Sequence, residues 1–286
     1  MSTSEARAQT PEAQQRRVDE LLWYHSIDVA PGVATRGWFD LRHALPLLPF
    51  PDLRGKRCLD IGTWDGFYAY EMERRGAAEV VAIDLPDLTN LDYPPEVAFD
   101  ASFDPGHTDH QQRSAGFRLL HDVLDSKVEW RGCSVYDVAD AGLGTFDFVV
   151  LGSLLVHLRD PVRALDAVRK VTGGQFLCAD FIHAPAQVVS FGRPMFELRG
   201  IGNDFQWWMA SDRGLRQLLH IGGFEIERMS PFFLLRPGEY GRGLLAEHGQ
   251  KGVRALATRT VNRVLAHDAT PGGHLHRGYL TRPRLR

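Results

Sequence analysis

The chain has 286 residues, of which 44% are hydrophobic and 24% are charged, and its formal net charge is -3. This composition is typical of a globular protein, and the net negative charge argues against a protein that coats nucleic acid with a generally basic surface. The polar N-terminus lacks the hydrophobic core of a signal peptide, and no apolar stretch reaches the ~20 residues of a membrane span. Three widely spaced cysteines in apolar runs are typical of free thiols in a reducing compartment. We therefore expect a cytoplasmic protein without a membrane partner, and the sequence leaves its oligomeric state open.

The N-terminal region differs in character from the rest of the chain. Residues 1–50 are expected to form a polar leader and a lid, with helices over 13–24 and 39–48 around a loop that contains proline and glycine. Residues 51–286 are expected to form the main domain.

Short apolar segments then alternate with predicted helices. Continuous apolar strands separated by helices are typical of a parallel sheet that is covered on both faces. We therefore predict a Rossmann-like, doubly wound α/β fold of about seven mostly parallel strands, with an insertion over residues 184–211. The predicted strands span residues 57–61, 79–84, 128–135, 146–151, 175–181, 224–229 and 276–281, and the predicted helices span 67–75, 112–124, 160–169 and 212–221.

The first predicted strand runs into an acidic turn, Asp60 to Phe67 (DIGTWDGF). In open α/β sheets, ligands bind outside the carboxyl ends of the strands. A dinucleotide-binding turn needs G-x-G-x-x-G, but Trp64 and Phe67 replace its second and third glycines, which disfavours an NAD-linked dehydrogenase. Asp60 and Asp65 would repel a pyrophosphate and attract a ligand that carries ammonium and sulfonium groups. The predicted cofactor is therefore S-adenosylmethionine (SAM).

Small or polar residues also follow the next three predicted strands. Asp84 ends the second strand, 22 residues after Gly62, where a carboxylate accepts hydrogen bonds from ribose hydroxyls. Ser134 and Val135 end the third strand and are expected to contact the adenine. The full predicted cofactor set is Asp60, Gly62, Trp64, Gly66, Asp84, Leu85, Ser134, Val135, Gly152 and Ser153.

These residues resemble the class I SAM-dependent methyltransferases over about residues 52–230. Residues 23–28 (WYHSID) and 35–40 (TRGWFD) are more narrowly similar to the tRNA wobble-uridine (carboxymethoxyuridine-forming) methyltransferase-like family. The segment 154–161 (LLVHLRDP) is similar to that family as well.

The sequence departs from this family's pattern in two ways. The tRNA enzymes of that family use a carboxylated SAM and carry a tyrosine before the histidine of the 154–161 segment. Val156 occupies that position here, and residues 18–53 contain no lysine that would bind the extra carboxylate. The resemblance therefore implies plain SAM and disfavours tRNA as the acceptor.

Methyl transfer to oxygen needs an in-line approach and a base that takes the proton of the acceptor. Histidine suits this role because its pKa lies near neutrality, and the candidates are His157, His183 and His25. No strict metal-ligand signature is present, so no metal is expected. The alternative is a divalent cation that Asp180 and Asp204 hold beside His183.

The acceptor pocket is expected to draw on the N-terminal lid and the insertion. Our leading hypothesis is O-methylation of a small hydroxylated acceptor, such as a sugar or natural product, by in-line transfer with a histidine base. The alternatives are a tRNA wobble-uridine-type methyltransferase and a non-catalytic SAM-binding protein. The predicted acceptor residues are Tyr24, Arg36, Trp38, Asp180, Asp204, Trp207 and Trp208.

Overall fold

A computed structural model describes residues 10–86, 91–95, 114–201, 205–241 and 274–284. The strands are β1 (Trp23–His25), β2 (Asp28–Ala30), β3 (Val33–Ala34), β4 (Gly37–Asp40), β5 (Arg57–Ile61), β6 (Glu79–Asp84), β7 (Glu129–Gly132), β8 (Phe146–Gly152), β9 (Thr172–Phe181), β10 (Phe196–Leu198), β11 (Trp208–Ala210), β12 (Phe224–Met229), β13 (Phe233–Pro237) and β14 (His274–Pro283). The α-helices are α1 (Pro11–Asp19), α2 (Phe67–Arg74), α3 (Ala115–Leu124), α4 (Pro161–Val171), α5 (Ala184–Val189) and α6 (Asp212–Ile221), and short 3-10 helices span Arg42–Ala44 and Leu155–His157.

The central sheet has the order β7-β6-β5-β8-β9-β14, and β12 pairs with β14 at its far side. The first five strands of that order are mutually parallel, whereas β14 runs antiparallel to both β9 and β12. The prediction of a mostly parallel sheet of about seven strands is confirmed. The carboxyl ends of β5, β6, β8 and β9 therefore lie at one edge of the sheet.

The two faces of the sheet are covered by different helices. On β5, Cys58 points into one apolar cluster, which includes Phe67 of α2 and Phe117 of α3. The next residue, Leu59, points into another cluster, which contains the apolar faces of α4 and α6. Because successive side chains of a strand point to opposite faces, this alternation shows the doubly wound arrangement directly. None of the described helices is long and apolar enough to cross a membrane.

Local signals in the sequence account for where the later helices begin. Asp160 caps α4 by accepting from the amide of Arg163 at 2.9 Å, with Pro161 at the first helical position. Ser211 caps α6 in the same way, through the amide of Gly214 at 3.1 Å. These caps fix the helix starts beside the strand ends.

The observed secondary structure of the N-terminal region differs from two of the predicted helices. The helix predicted over 13–24 is confirmed only as far as Asp19, and Trp23–His25 is a strand. The helix predicted over 39–48 is wrong, because Gly37–Asp40 is a strand and only a 3-10 turn follows it. β1 and β4 pair in parallel, and a Cβ at Gly37 would lie 2.2 Å from the carbonyl carbon of His25. Trp38 and Phe39 in β4 are aromatic residues, a type that favours strands. Pairing with β1 then stabilises this strand.

The strands β13, β4 and β1 extend the sheet beyond β14. The extension curls back over the carboxyl edge of the central strands, where Asp65 in the β5–α2 turn accepts hydrogen bonds from the amides of Tyr24 at 3.0 Å and His25 at 2.8 Å. The other oxygen of Asp65 accepts from Nδ1 of His25. One buried carboxylate thus joins the first strand to the turn below it.

Replacement of this carboxylate tests its structural role. Asp65→Ala leaves two amides and the buried His25 ring without their acceptor, so we expect a loss of about 3 kcal/mol in the free energy of unfolding. The amides of Tyr24 and His25 should also exchange faster with deuterium. The control is Asp52→Ala, since the Asp52 side chain is 62% exposed and pairs with Arg54. Equal stability of the two variants would contradict this role for Asp65.

Candidate active site

The turn between β5 and α2 has a strained backbone. Gly62 and Gly66 have φ angles of +72° and +93°, and Trp64 has a φ of +51°. A non-glycine residue at positive φ costs free energy and is found preferentially at ligand-binding sites. Asp60 points inward, and its Oδ2 accepts from the Thr63 hydroxyl at 2.7 Å and from the Ala69 amide at 3.0 Å. The Asp60 carboxyl group therefore supports the turn from beneath.

Asp84 lies at the end of β6, directly beside this turn. Its Oδ2 accepts from the Trp64 amide and its Oδ1 from the Leu85 amide, each at 2.7 Å. A carboxylate at the end of the second strand is the group that accepts from ribose hydroxyls in doubly wound nucleotide-binding folds. Beyond β7, the Ser134 hydroxyl oxygen accepts from the Tyr136 amide at 3.2 Å, and Val135 packs into the core.

Gly152 and Ser153 follow β8. A Cβ at Gly152 would lie 2.4 Å from Cε2 of Tyr68, so a side chain there would collide with the core. Ser153 has a φ of +51°, which places a second strained residue at this edge of the sheet. The predicted cofactor residues at the ends of β5, β6 and β8 thus lie together.

Carboxyl groups dominate the electrostatics of this edge. Burial raises the pKa of Asp60 to about 7, against the opposing effect of its hydrogen bond with Thr63. Burial also raises the pKa of Asp180, at the end of β9, to about 6, although it accepts from the amides of Phe181 and Leu155. A bound cation would stabilise the charged forms of both groups. This set of groups fits a cationic adenosyl compound better than a phosphate.

The three candidate histidines occupy different environments. His25 is buried, stacks on Phe67 and donates from Nδ1 to Asp65. His183 is 1% exposed, and its Nδ1 lies 3.3 Å from a carboxylate oxygen of Glu197. His157 is only partly buried, and its Nδ1 lies 2.9 Å from the carbonyl oxygen of Phe205. Because a carbonyl oxygen only accepts, Nδ1 of His157 carries the proton and Nε2 is the basic nitrogen.

Tyr24 lies at the same edge of the sheet as the carboxyl groups. Its ring contacts that of Trp64, with 4.9 Å between the centroids. Burial raises the pKa of the Tyr24 hydroxyl above its usual range, and the nearby acidic groups of Tyr93, Asp65 and Asp180 act in the same direction.

The other predicted acceptor residues are more scattered. Arg36 is largely exposed and forms ion pairs with Asp19 and Glu239, and the Trp38 ring packs on Tyr240. Trp207 and Trp208 pack against residues that follow β8. The indole of Trp208 donates to the Arg159 carbonyl at 3.1 Å.

Asp204, the second predicted metal ligand, lies outside the described residues. Within the described ranges, no three His, Cys, Asp or Glu side chains cluster as a metal site would require.

Comparison with known proteins identifies the family of the chain. A methyltransferase domain family matches residues 34–228. The chain belongs to the class I SAM-dependent methyltransferases. The family and fold predictions are therefore confirmed.

The chain is similar to two curated proteins whose names describe different reactions. It is 31% identical to a tRNA U34 carboxymethyltransferase of Campylobacter hominis, over 51% of this chain and 44% of that protein. It is 30% identical to a ubiquinone biosynthesis O-methyltransferase of Neisseria meningitidis, over 41% of this chain and 39% of that protein. The matched part thus spans less than half the length of each relative.

A solved structure supports the fold of this methyltransferase. The N-terminal domain of EvdMO1, solved in the presence of S-adenosylhomocysteine (SAH) and D-fucose, superposes with a TM-score of 0.52. The identity is 14%, and the match covers 98% of this chain and 99% of that chain.

The methyltransferase also contains a histidine that sequence analysis missed. His276 on β14 is 2% exposed, and its Nδ1 lies 3.0 Å from the His274 carbonyl oxygen. Nδ1 therefore carries the proton, and Nε2 accepts from the Ser153 hydroxyl at 3.0 Å. Its position 123 residues after Ser153 gave no local signal, because only the pairing of β14 with β9 brings the two residues together.

Burial lowers the pKa of His276 to about 4, against an ordinary value of 6.5. Between these values the unfolded chain takes up a proton that the folded His276 refuses, so stability is lost as the pH falls from 6.5 toward 4. Between pH 6.5 and 4, we expect His276→Gln to remove about 3 kcal/mol of the pH-dependent loss in the free energy of unfolding. Urea unfolding at a series of pH values measures the slope. His220→Gln, at an exposed position, should keep the wild-type slope, and an unchanged slope in His276→Gln would count against a buried neutral ring.

Proposed function

We propose that this protein transfers a methyl group from SAM to a hydroxyl oxygen of a small acceptor. One observation carries the proposal: the carboxyl groups of Asp60, Asp84 and Asp180 lie at the ends of adjacent or nearby strands, around two turns with strained backbones. A cationic ligand without phosphate matches this arrangement. When bound, SAM supplies a methyl group on a positively charged sulfur.

Each part of the site has a role in holding the cofactor. Asp84 is the proposed acceptor for the ribose hydroxyls, and Trp64 and Leu85 hold its carboxylate in place through their amides. Ser134 and Val135 border the adenine at the end of β7. Five further predicted positions border the proposed cofactor at the ends of β5 and β8: Asp60, Gly62, Gly66, Gly152 and Ser153.

His157 is the proposed general base. Its Nδ1 proton is donated to the Phe205 carbonyl, which fixes the ring and leaves Nε2 as the proton acceptor. His25 is tied to Asp65 inside the protein, and His183 is fully buried beside Glu197. These contacts suit His25 and His183 to positioning the lid and the insertion.

Aromatic side chains from the lid, from the loop after β6 and from the segment before β11 support a small acceptor. Tyr24 packs on Trp64, and Tyr93 contacts Phe205 with 5.1 Å between ring centroids. Flat apolar rings exclude water and bind the carbon faces of a sugar or an aromatic ring. Oxygen is the proposed methylated atom because Nε2 of a neutral histidine accepts a hydroxyl proton.

Methylation of tRNA is the second candidate, and the resemblance to the Campylobacter hominis protein favours it. The arginines described near the C-terminus do not support it. Arg277 pairs with Asp212, and Arg282 pairs with Glu225, which neutralises charge that would otherwise attract phosphates.

Calorimetric titration with SAM is the primary test, followed by an assay of radiolabelled methyl transfer to hydroxylated sugars, phenolic natural products and bulk tRNA. Transfer to a small molecule supports the proposal, whereas transfer only to tRNA supports the second candidate. SAM binding without transfer would point to a non-catalytic protein. Absence of SAM binding would refute all three.

The raised pKa of Asp60 predicts how SAM affinity depends on pH. Because the cation favours ionised Asp60, binding releases a proton, and affinity should fall as the pH drops from about 7 to 5, by at most about tenfold per pH unit. Asp60→Asn should reduce this dependence and leave the part that Asp180 contributes. SAH lacks the sulfonium charge and provides the matched ligand control. Equal pH dependence of SAM and SAH affinity would contradict the electrostatic account.

His157→Gln tests the base. We expect kcat to fall by about 100-fold or more, because no base remains to take the hydroxyl proton of the methyl acceptor. The dissociation constant for SAM should be unchanged. His121→Gln, on the surface of α3, is the matched histidine control. A His157→Gln enzyme with a wild-type kcat would reassign the base to another residue.

A further inference from the structure

Asp92 lies in the short described segment 91–95, after β6, and makes contacts on two sides. Its Oδ2 accepts from the amide of Arg159 at 2.7 Å and from the Tyr136 hydroxyl at 2.6 Å. Its backbone carbonyl accepts from the indole Nε1 of Trp207. One residue therefore contacts the loop after β8 and the segment before β11.

These two segments together hold the ring of His157. The loop after β8 supplies the backbone of His157, two residues before Arg159. The segment before β11 supplies the Phe205 carbonyl that accepts from Nδ1 of His157, two residues before Trp207. The Trp207 amide also donates to the Val156 carbonyl at 2.8 Å. The position of the imidazole thus depends on how the two segments are held relative to each other.

The contacts around Asp92 reinforce one another. The Tyr136 hydroxyl, which donates to Asp92, also accepts from the Asp160 amide at 3.1 Å. The Arg159 guanidinium lies 4.8 Å above the Trp207 ring and 3.7 Å from the Asp92 carboxylate. A single carboxylate in such a network is worth more than its separate hydrogen bonds, because its loss releases several groups at once.

The geometry points to Asp92 as the positioning residue of the catalytic site: it fixes His157 by bridging the loop that carries its backbone and the segment that carries its carbonyl partner. This inference rests on the proposed function for its kinetic consequence, but the placement of the ring is a property of the chain itself. Asp92 acts through Arg159, Tyr136 and Trp207 and needs no contact with the acceptor.

Variants of Asp92 and Tyr136 test the inference by a spectroscopic and a kinetic measurement. In ¹⁵N-histidine NMR spectra of the full chain without added ligand, wild-type His157 should show the Nδ1-protonated tautomer. Asp92→Ala should give a mixture of both tautomers, and kcat should fall about 10- to 100-fold. The dissociation constant for SAM should change less than twofold. Tyr136→Phe should shift the tautomer in the same direction by a smaller amount, and Asp92→Asn, which keeps one acceptor oxygen, should partly restore kcat.

The control is Asp137→Ala, because Asp137 is largely exposed and its carboxylate pairs with Arg163 in the same region. It should behave as the wild type does. Asp92→Ala with an unchanged His157 tautomer would overturn the inference, whether or not kcat falls. If the wild type transfers no methyl group, the proposed function fails, and the tautomer measurement still decides the role of Asp92.

Discussion

The carboxylate of Asp65 is the interaction on which the arrangement of the site depends. It accepts hydrogen bonds from two backbone amides of β1 and from Nδ1 of His25. It therefore joins the last strand of the curled sheet to the turn after β5. Ring contacts of Tyr24 with Trp64 and of His25 with Phe67 reinforce the same connection. The buried hydrogen bonds make the connection specific, because each unpaired group would cost free energy.

The three acidic residues at the strand ends are all buried, and each accepts from at least one backbone amide. Asp60 and Asp180 accept from backbone amides beneath the turns, and burial raises the pKa of each. Asp84 fixes the backbone of Trp64 and of Leu85. The same carboxyl groups thus position the backbone and supply the negative potential that a cation would require.

The histidines show how the partner of one ring nitrogen determines the role of the other. Nδ1 donates to a carboxylate in His25 and to backbone carbonyls in His157 and His276. Burial separates two of them: it lowers the pKa of His276, which lies beside Ser153, whereas His157 is only partly buried and is the proposed base. Residue type alone made His25, His157 and His183 equivalent candidates.

The sequence by itself determined the βα alternation, the acidic turn at Asp60 to Phe67 and the acid at Asp84, because apolar runs, glycines and strand-ending polar residues are local signals. It did not determine that residues 37–40 form a strand, since that strand exists only through pairing with β1 and β13. Only the tertiary structure placed His276 beside Ser153 and Asp92 between Arg159 and Trp207. These contacts join residues 67 to 123 positions apart, and spacing carries no information about which distant segments meet when the sheet curls.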